Sequence, residues 1–269
     1  MLLMIDHVTL YRYDQPVRGV VQSHRLTPSL FDGQQIMDWT VTVTGGVQGG
    51  GFRDGAGDWV QGWSVKGPLS EISVHVRGQV TTSDLAGVLR GHRETVAPEC
   101  YLRETAATEL AGGLAALATA GEGASSRLSA AHALSLAVSE AVAYKPGATT
   151  AKTTAAEALD LGEGVCQDHT HILCAIARAN AIPARYVSGY LLADADGAPH
   201  EAAHAWAELF IPGLGWVGFD PANECCPDDR YVRLGSGLDA REAAPIRGSA
   251  RSKGVESLDV TVAVLQTQQ

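Results

Sequence analysis

The stretch that most constrains this chain is residues 162–178, where a glycine-bearing turn runs directly into an apolar helix. Cys166 falls in the first turn of that helix, whereas Cys174 lies further along it and is expected in the core. A helix N-terminus carries about half a positive elementary charge and unpaired N–H groups, which favour a thiolate over a thiol. Cys166 is therefore a candidate nucleophile.

The composition of the chain excludes several classes of protein. The chain has 269 residues, 45% of them hydrophobic, which suits one large domain or two ordinary ones with a substantial core. Thirty acidic residues against twenty basic ones give a net charge of −10, which argues against nucleic acid as a partner. The apolar start is interrupted by Asp6 and His7 without a basic region, so we predict neither a signal peptide nor a membrane span, and a cytoplasmic location. Five cysteines at uneven spacings predict free thiols.

The sequence pattern of residues 1–95 predicts an antiparallel β-sandwich. Their β-branched and aromatic runs mostly alternate between polar and apolar residues, and glycine-rich turns at residues 45–46 and 49–51 separate them. These runs are residues 7–13, 39–44, 59–65 and 72–77.

Residues 96–230 carry helical patterns followed by strand patterns. Thr154 and Glu157 have capping-box spacing for a short helix that ends at Gly162, and we expect the Cys166 helix to end near Asn180. Residues 231–269 form a C-terminal segment whose alternating run is predicted to return to the N-terminal β-domain as a strand. The patterned runs are helical residues 103–118 and 128–143, strand residues 184–192, 203–211, 215–219 and 258–264, and turns at 194–197 and 212–214.

The strand region offers the base and the acid that a thiolate nucleophile needs. Alternation in residues 203–209 places His204, Trp206 and Glu208 on one side of a strand and small apolar residues on the other. If residues 212–214 form a three-residue hairpin turn, Asp220 lies opposite Trp206 and diagonal to His204, about 7–8 Å away. A one-residue change of register would reverse the facing.

The predicted arrangement is therefore Cys166, His204 and Asp220. Cys166 would attack a carbonyl carbon, and His204 would take the proton of the thiol and later give one to the leaving amine. Asp220 would hold the imidazole tautomer. Asp168, in the first turn of the Cys166 helix, is expected to favour the helix start through its charge.

The order of three short motifs carries a family resemblance. Gly-Val-Cys166-Gln-Asp-His, His204-Ala-Trp206 and Phe219-Asp220-Pro221 together resemble the transglutaminase-like superfamily, whose papain-like core uses Cys, His and Asp in that order. Residues 11–13 and 23–28 look like the β-rich region that precedes this core in a bacterial branch of the superfamily.

Together with the patterns above, the resemblance predicts an α+β fold, in which a papain-like cysteine core follows an N-terminal antiparallel β-sandwich that the C-terminal strand rejoins. It also implies amide chemistry through a thioester acyl-enzyme, with Cys166 as nucleophile, His204 as base and Asp220 as orienting acid. We expect a cysteine-dependent amide hydrolase acting on peptide or isopeptide bonds. A protein-glutamine transglutaminase and a non-catalytic scaffold are the alternatives.

The remaining expectations concern ligands and partners. The N–H of Cys166 is one expected oxyanion donor, and either Tyr144 or Trp206 would supply the second. We expect no cofactor and no metal, because no acidic loop has calcium-ligand spacing and the His and Cys residues of the Cys166 helix are dispersed around it. The expected partner is a peptide or protein substrate, with no membrane partner, and self-association is left open. His200 and Glu201 are expected at the mouth of the cleft.

Overall fold

The protein is described by a computed structural model that covers residues 1–192, 203–250 and 255–266. It is an α+β fold in which a four-stranded antiparallel sheet lies between a helical layer and an antiparallel β-domain, so the predicted fold class is confirmed. The predicted turn at residues 194–197 and the cleft residues His200 and Glu201 lie outside the described residues.

The elements within the described residues are the following. The strands are β1 (Leu2–His24), β2 (Gln34–Val43), β3 (Gly46–Arg53), β4 (Trp59–Thr82), β5 (Ala143–Tyr144), β6 (Glu163–Gly164), β7 (Ala184–Leu191), β8 (Ala203–Ile211), β9 (Gly215–Phe219), β10 (Tyr231–Gly237), β11 (Ile246–Ala250) and β12 (Glu256–Gln266). The α-helices are α1 (Leu114–Ala118), α2 (Arg127–Ala141), α3 (Ala155–Leu161) and α4 (Cys166–Ala179), with short 3₁₀ turns at Pro98–Leu102 and Thr119–Gly121.

The β-domain is organised around two long strands, β1 and β4, which pair along most of their length. β1 shifts register between Arg12 and Gly19, and its two ends therefore take different outer partners, β12 and β11. Strands β2 and β3 extend the other edge along β4. The predicted return of the C-terminal strand is thus confirmed by β12, which pairs antiparallel with β1 from Leu3 to Tyr13.

The glycines at residues 49–51 do not form the predicted turn but lie within β3. This strand pairs with β4 and has one irregularity between Gln48 and Gly51. A Cβ atom at Gly51 would lie 2.5 Å from the Trp59 ring and 2.7 Å from the Gln61 side chain. Glycine is used here because neighbouring side chains cover the strand, and not because the chain reverses.

The helix predicted at residues 103–118 is also shorter than expected. Only Leu114–Ala118 is helical, and Gly112 just before it has φ +54°, which lies in the left-handed region. Thr108 accepts a hydrogen bond from the backbone N–H of Thr105, a side-chain to backbone contact that competes with helical hydrogen bonding. Local turn chemistry therefore outweighs the periodicity of this segment.

The core sheet has the strand order β10-β7-β8-β9, and one of its faces packs on α4. The small apolar side of β8 meets the helix as predicted, with Ala207 and Leu209 in the same cluster as Ile172 and Ile176. β10 begins at Tyr231, so the first strand after the predicted boundary at residue 230 belongs to the core sheet, whereas β11 and β12 join the β-domain.

A buried ionic network connects the opposite face of this sheet to the β-domain. Arg233 lies 2.8 Å from Glu208 and 2.7 Å from Asp58, and Arg185 lies 2.6 Å from Glu208 and 2.5 Å from Glu94. Burial alone raises the pKa of Glu208, but the two arginines lower it overall to about 2. The network therefore ties strands β7, β8 and β10 to Asp58 and Glu94 through groups in their charged state.

Replacing Arg233 by Met should destabilise the protein severely, because Asp58 would be left as a buried charge without its arginine and Glu208 would lose one of two partners. We expect the free energy of unfolding to fall by about 3–5 kcal/mol in urea titrations. Arg12→Met is the control, since Arg12 pairs with Glu71 and Asp259 at the surface and should cost less than about 1 kcal/mol. Equal losses in the two variants would contradict the importance of the network.

Candidate active site

Cys166 is the first residue of α4, and local interactions fix the start of this helix. The buried Asp168 carboxylate accepts hydrogen bonds from the backbone N–H of Val165 at 2.8 Å and from the hydroxyl of Thr149 at 2.6 Å. Gly164 makes room for it, because a Cβ there would lie 2.8 Å from the Asp168 side chain. Asp168 thus supports the helix start that carries Cys166.

The environment of Cys166 differs from that of Cys174. The Cys166 side chain is partly exposed and packs against Tyr186, Ala205 and Ala243, whereas Cys174 is fully buried in the core and has its pKa raised to about 11 by burial. None of the five cysteines is in a disulfide. Cys174 is therefore a structural thiol, as expected, and Cys166 faces a site that other groups can reach.

The hairpin of β8 and β9 has the register that places Asp220 opposite Trp206. Ala207 pairs with Phe219 and Glu208 with Gly218, and the Leu214 N–H closes the turn by donating to Ile211 at 3.0 Å. The result is a contact of 2.6 Å between Nε2 of His204 and Oδ2 of Asp220. The side chain of Cys166 is close enough to His204 to help raise the pKa of the imidazole. The structure therefore brings Cys166, His204 and Asp220 together.

Five hydrogen-bond donors surround the fully buried Asp220 carboxylate. Oδ1 accepts from the backbone N–H groups of Ala222 and Asn223, while Oδ2 accepts from His204, from the Asn223 amide at 2.7 Å and from the Tyr231 hydroxyl at 2.8 Å. Burial alone raises the pKa of Asp220, but the hydrogen bond from His204, followed by those from Asn223 and Tyr231, lowers it overall. Asp220 is thus held as a carboxylate.

The same contacts raise the pKa of the His204 imidazole, whereas they lower that of Asp220. Burial alone lowers the pKa of His204, but the hydrogen bonds to Asp220 and then to Cys166 raise it to about 10. Because Nε2 faces Asp220, Nδ1 is the ring nitrogen that is left for Cys166. The site therefore presents a protonated imidazole between a carboxylate and a cysteine sulfur.

The two side chains expected as second oxyanion donors occupy different places. Tyr144 lies on β5, paired with β6 just ahead of Cys166, and its ring is 6.3 Å from that of His169. Trp206 is buried and stacks on His204 with 6.4 Å between ring centroids. The backbone N–H groups of Cys166 and Gln167 have no acceptor among the described residues and are available to an oxyanion. The roles of Tyr144 and Trp206 stay predictions.

Two residues of the site were not anticipated. Asn223 lies three residues after Asp220, within an Asp-Pro-Ala-Asn turn whose composition gives a local signal of this proximity. Tyr231 comes from β10, and nothing in the sequence around it indicates that its hydroxyl reaches Asp220.

The described residues contain neither a candidate metal site nor a candidate membrane-spanning helix. No group of three or more His, Cys, Asp or Glu side chains there is arranged to hold a metal ion. The helices of that part of the chain are too short or too polar to cross a membrane.

Comparison with known families gives matches in both parts of the chain. Residues 3–81 match the Bacterial transglutaminase-like N-terminal region, and residues 115–221, which contain Cys166, His204 and Asp220, match the Transglutaminase-like superfamily. The chain belongs to the transglutaminase-like superfamily.

Several relatives of this transglutaminase-like protein are known. An uncharacterised protein of Mycobacterium leprae is 27% identical over 97% of this chain and 98% of its own length. One from Mycobacterium bovis is 38% identical over 45% of this chain, and the match spans only 42% of that relative. A protein-glutamine gamma-glutamyltransferase of Pseudomonas aeruginosa is 31% identical over 37% of this chain and 15% of its own length.

A solved structure shares the fold. The crystal structure of a proposed cysteine protease from Cytophaga hutchinsonii has a TM-score of 0.75 and 21% identity, and covers 100% of this chain and 92% of its own. The similarity therefore includes the β-domain as well as the core.

The protonation state of His204 can be followed by NMR on ¹⁵N-histidine-labelled protein, with His204→Gln to assign the signal. We expect an imidazolium at pH 7, since the pKa is raised from 6.5 to about 10. The interaction that raises it should stabilise the fold fully below pH 6.5 and lose its contribution as the pH rises through about 10. In Asp220→Asn the imidazole should become neutral at pH 7, because burial then dominates. A wild-type titration near pH 6.5 would contradict the described contacts.

Proposed function

We propose that this protein is a cysteine-dependent amide hydrolase that cleaves peptide or isopeptide bonds through a thioester acyl-enzyme. The observation that carries the proposal is the buried His204–Asp220 pair, whose imidazole also interacts with a cysteine at a helix start. A non-catalytic scaffold has no need of a buried carboxylate with five donors beside a partly exposed thiol.

The proposed reaction has two stages. The sulfur of Cys166 attacks the carbonyl carbon, and the oxyanion that forms is stabilised by the N–H groups of Cys166 and Gln167. The C–N bond breaks as His204 gives its proton to the leaving amine, which leaves an acyl group on sulfur. Water then attacks the thioester, with His204 taking the proton of the water and Cys166 leaving as the sulfur anion. Asp220 keeps Nε2 protonated and the ring oriented throughout.

Acyl transfer to an amine is the second candidate for the same site. The Pseudomonas aeruginosa relative is named as a protein-glutamine gamma-glutamyltransferase, and its similarity to this chain extends over 105 residues. Hydrolase and transferase would share the first stage and differ only in whether water or an amine attacks the thioester. We favour hydrolysis, and we retain a cytoplasmic location and a peptide or protein substrate as parts of the proposal.

Alkylation tests the nucleophile without a known substrate. Iodoacetamide at pH 6, followed by peptide mass spectrometry, should modify Cys166 faster than the exposed Cys100 and leave the buried Cys174 unmodified. If exposure alone decided the rate of alkylation, Cys100 would react faster than Cys166. His204→Gln should abolish the advantage of Cys166, and a wild-type protein in which Cys100 reacts first would count against a catalytic cysteine.

Product analysis separates the two enzyme classes. The protein is incubated with a library of glutamine-containing peptides, with and without a primary amine, and the products are identified by mass spectrometry. Cleaved peptides, absent with Cys166→Ser, are the result we expect. Amine adducts without cleavage would establish the transferase instead, and no product of either kind in the wild type would support the scaffold.

A further inference from the structure

The aromatic ring of Tyr231 is a feature of the site that the family match does not include, since that match ends at residue 221. Tyr231 opens β10 and is buried. Its ring centroid lies 5.9 Å from that of His204 and 5.4 Å from that of Trp206, in both cases edge to face. The strand that follows the core therefore packs an aromatic side chain directly behind the catalytic imidazole.

The hydroxyl of Tyr231 adds a polar contact to this packing. It donates to Oδ2 of Asp220 at 2.8 Å, the same oxygen that faces His204, and lies 3.3 Å from the sulfur of Cys225. Burial, together with the neighbouring Asp220 charge, raises the pKa of Tyr231, so the hydroxyl keeps its proton and donates. A neutral donor thus shares the charge of the carboxylate with the imidazole.

We propose that Tyr231 is a positioning residue, which fixes both the Asp220 carboxylate and the His204 ring and thereby sets the pH range in which the Cys166 site works. This inference rests on the proposed function, because it assigns a role within that site. The hydroxyl helps to keep Asp220 ionised in a fully buried place, and the ring keeps the imidazole from turning away. Removing the hydroxyl alone should therefore raise the pKa of Asp220 and shift the acid limit of reactivity to higher pH.

The chain offers a matched control in Tyr190. This tyrosine is equally buried, lies on the neighbouring strand β7 and donates or accepts one hydrogen bond through its hydroxyl, to Nδ1 of His7 at 2.7 Å. Its hydroxyl contacts the β-domain side rather than Asp220. Tyr190→Phe and Tyr231→Phe each remove one buried hydroxyl and keep the ring, so a purely structural role predicts the same behaviour for both.

The test measures Cys166 alkylation by iodoacetamide from pH 4 to 9 in the wild type and the two variants, with urea titrations to record stability. Because the hydrogen bond that is lost serves a charged group, we expect the rate for Tyr231→Phe at pH 6 to fall about tenfold. Its acid limb should move to higher pH, while Tyr190→Phe keeps the wild-type rate and profile. If both variants lose the same stability and both keep the wild-type pH profile of Cys166 alkylation, the proposal is overturned.

NMR supplies a readout that needs neither activity nor a variant. In the wild type labelled with ¹³C-tyrosine and ¹⁵N-histidine, the Tyr231 hydroxyl proton should exchange slowly with water and show a cross-peak to the His204 ring. A rapidly exchanging hydroxyl without that cross-peak would also overturn the proposal. If the wild type cleaves no amide, the proposed function fails, but these signals still decide whether Tyr231 positions the pair.

Discussion

A single carboxylate, held ionised in a place that water does not reach, governs the chemistry of this site. Asp220 is fully buried, and without donors its charge would be lost to protonation. Five hydrogen bonds keep it charged, and the charge in turn keeps His204 protonated despite burial. The imidazolium is what the cysteine sulfur at the start of α4 requires as a partner. The charge of His204 therefore depends on that of Asp220, and Cys166 depends on the charge of His204.

The rest of the fold holds these groups at the required separations. One face of the core sheet packs on α4, which fixes Cys166, while β8, β9 and the loop after β9 fix His204 and Asp220. The opposite face contacts the β-domain through Arg233, which pairs with Glu208 in the core sheet and with Asp58 in the β-domain. Glu208 is four residues from His204 on the same strand, so the network that joins the domains also fixes the strand that carries the base. The β-domain is accordingly part of the framework of the site.

Sequence patterns predicted those parts of the structure that local rules determine. A three-residue turn predicts the register of β8 and β9, and the placement of Asp168 favours the start of α4. The alternation of residues predicts β12. The failures have physical reasons. Glycines in β3 accommodate the side chains of Trp59 and Gln61, which a sequence does not reveal, and turn contacts outweigh helical periodicity before Leu114. Arg233 and Tyr231 meet Asp58 and Asp220 only after the whole chain has folded, so no local pattern announces them.

Trapping the acyl group on the cysteine would show directly whether the three residues act together. The protein is mixed with an activated ester, quenched in acid within seconds and digested, and the modified residue is identified by mass spectrometry. The structure predicts one acyl group on Cys166, released by neutral hydroxylamine as a thioester is, and much slower acylation in His204→Gln and Asp220→Asn. Acylation at Cys100 or Cys225 instead, or an unchanged rate at Cys166 in both variants, would contradict the cooperation of the three residues.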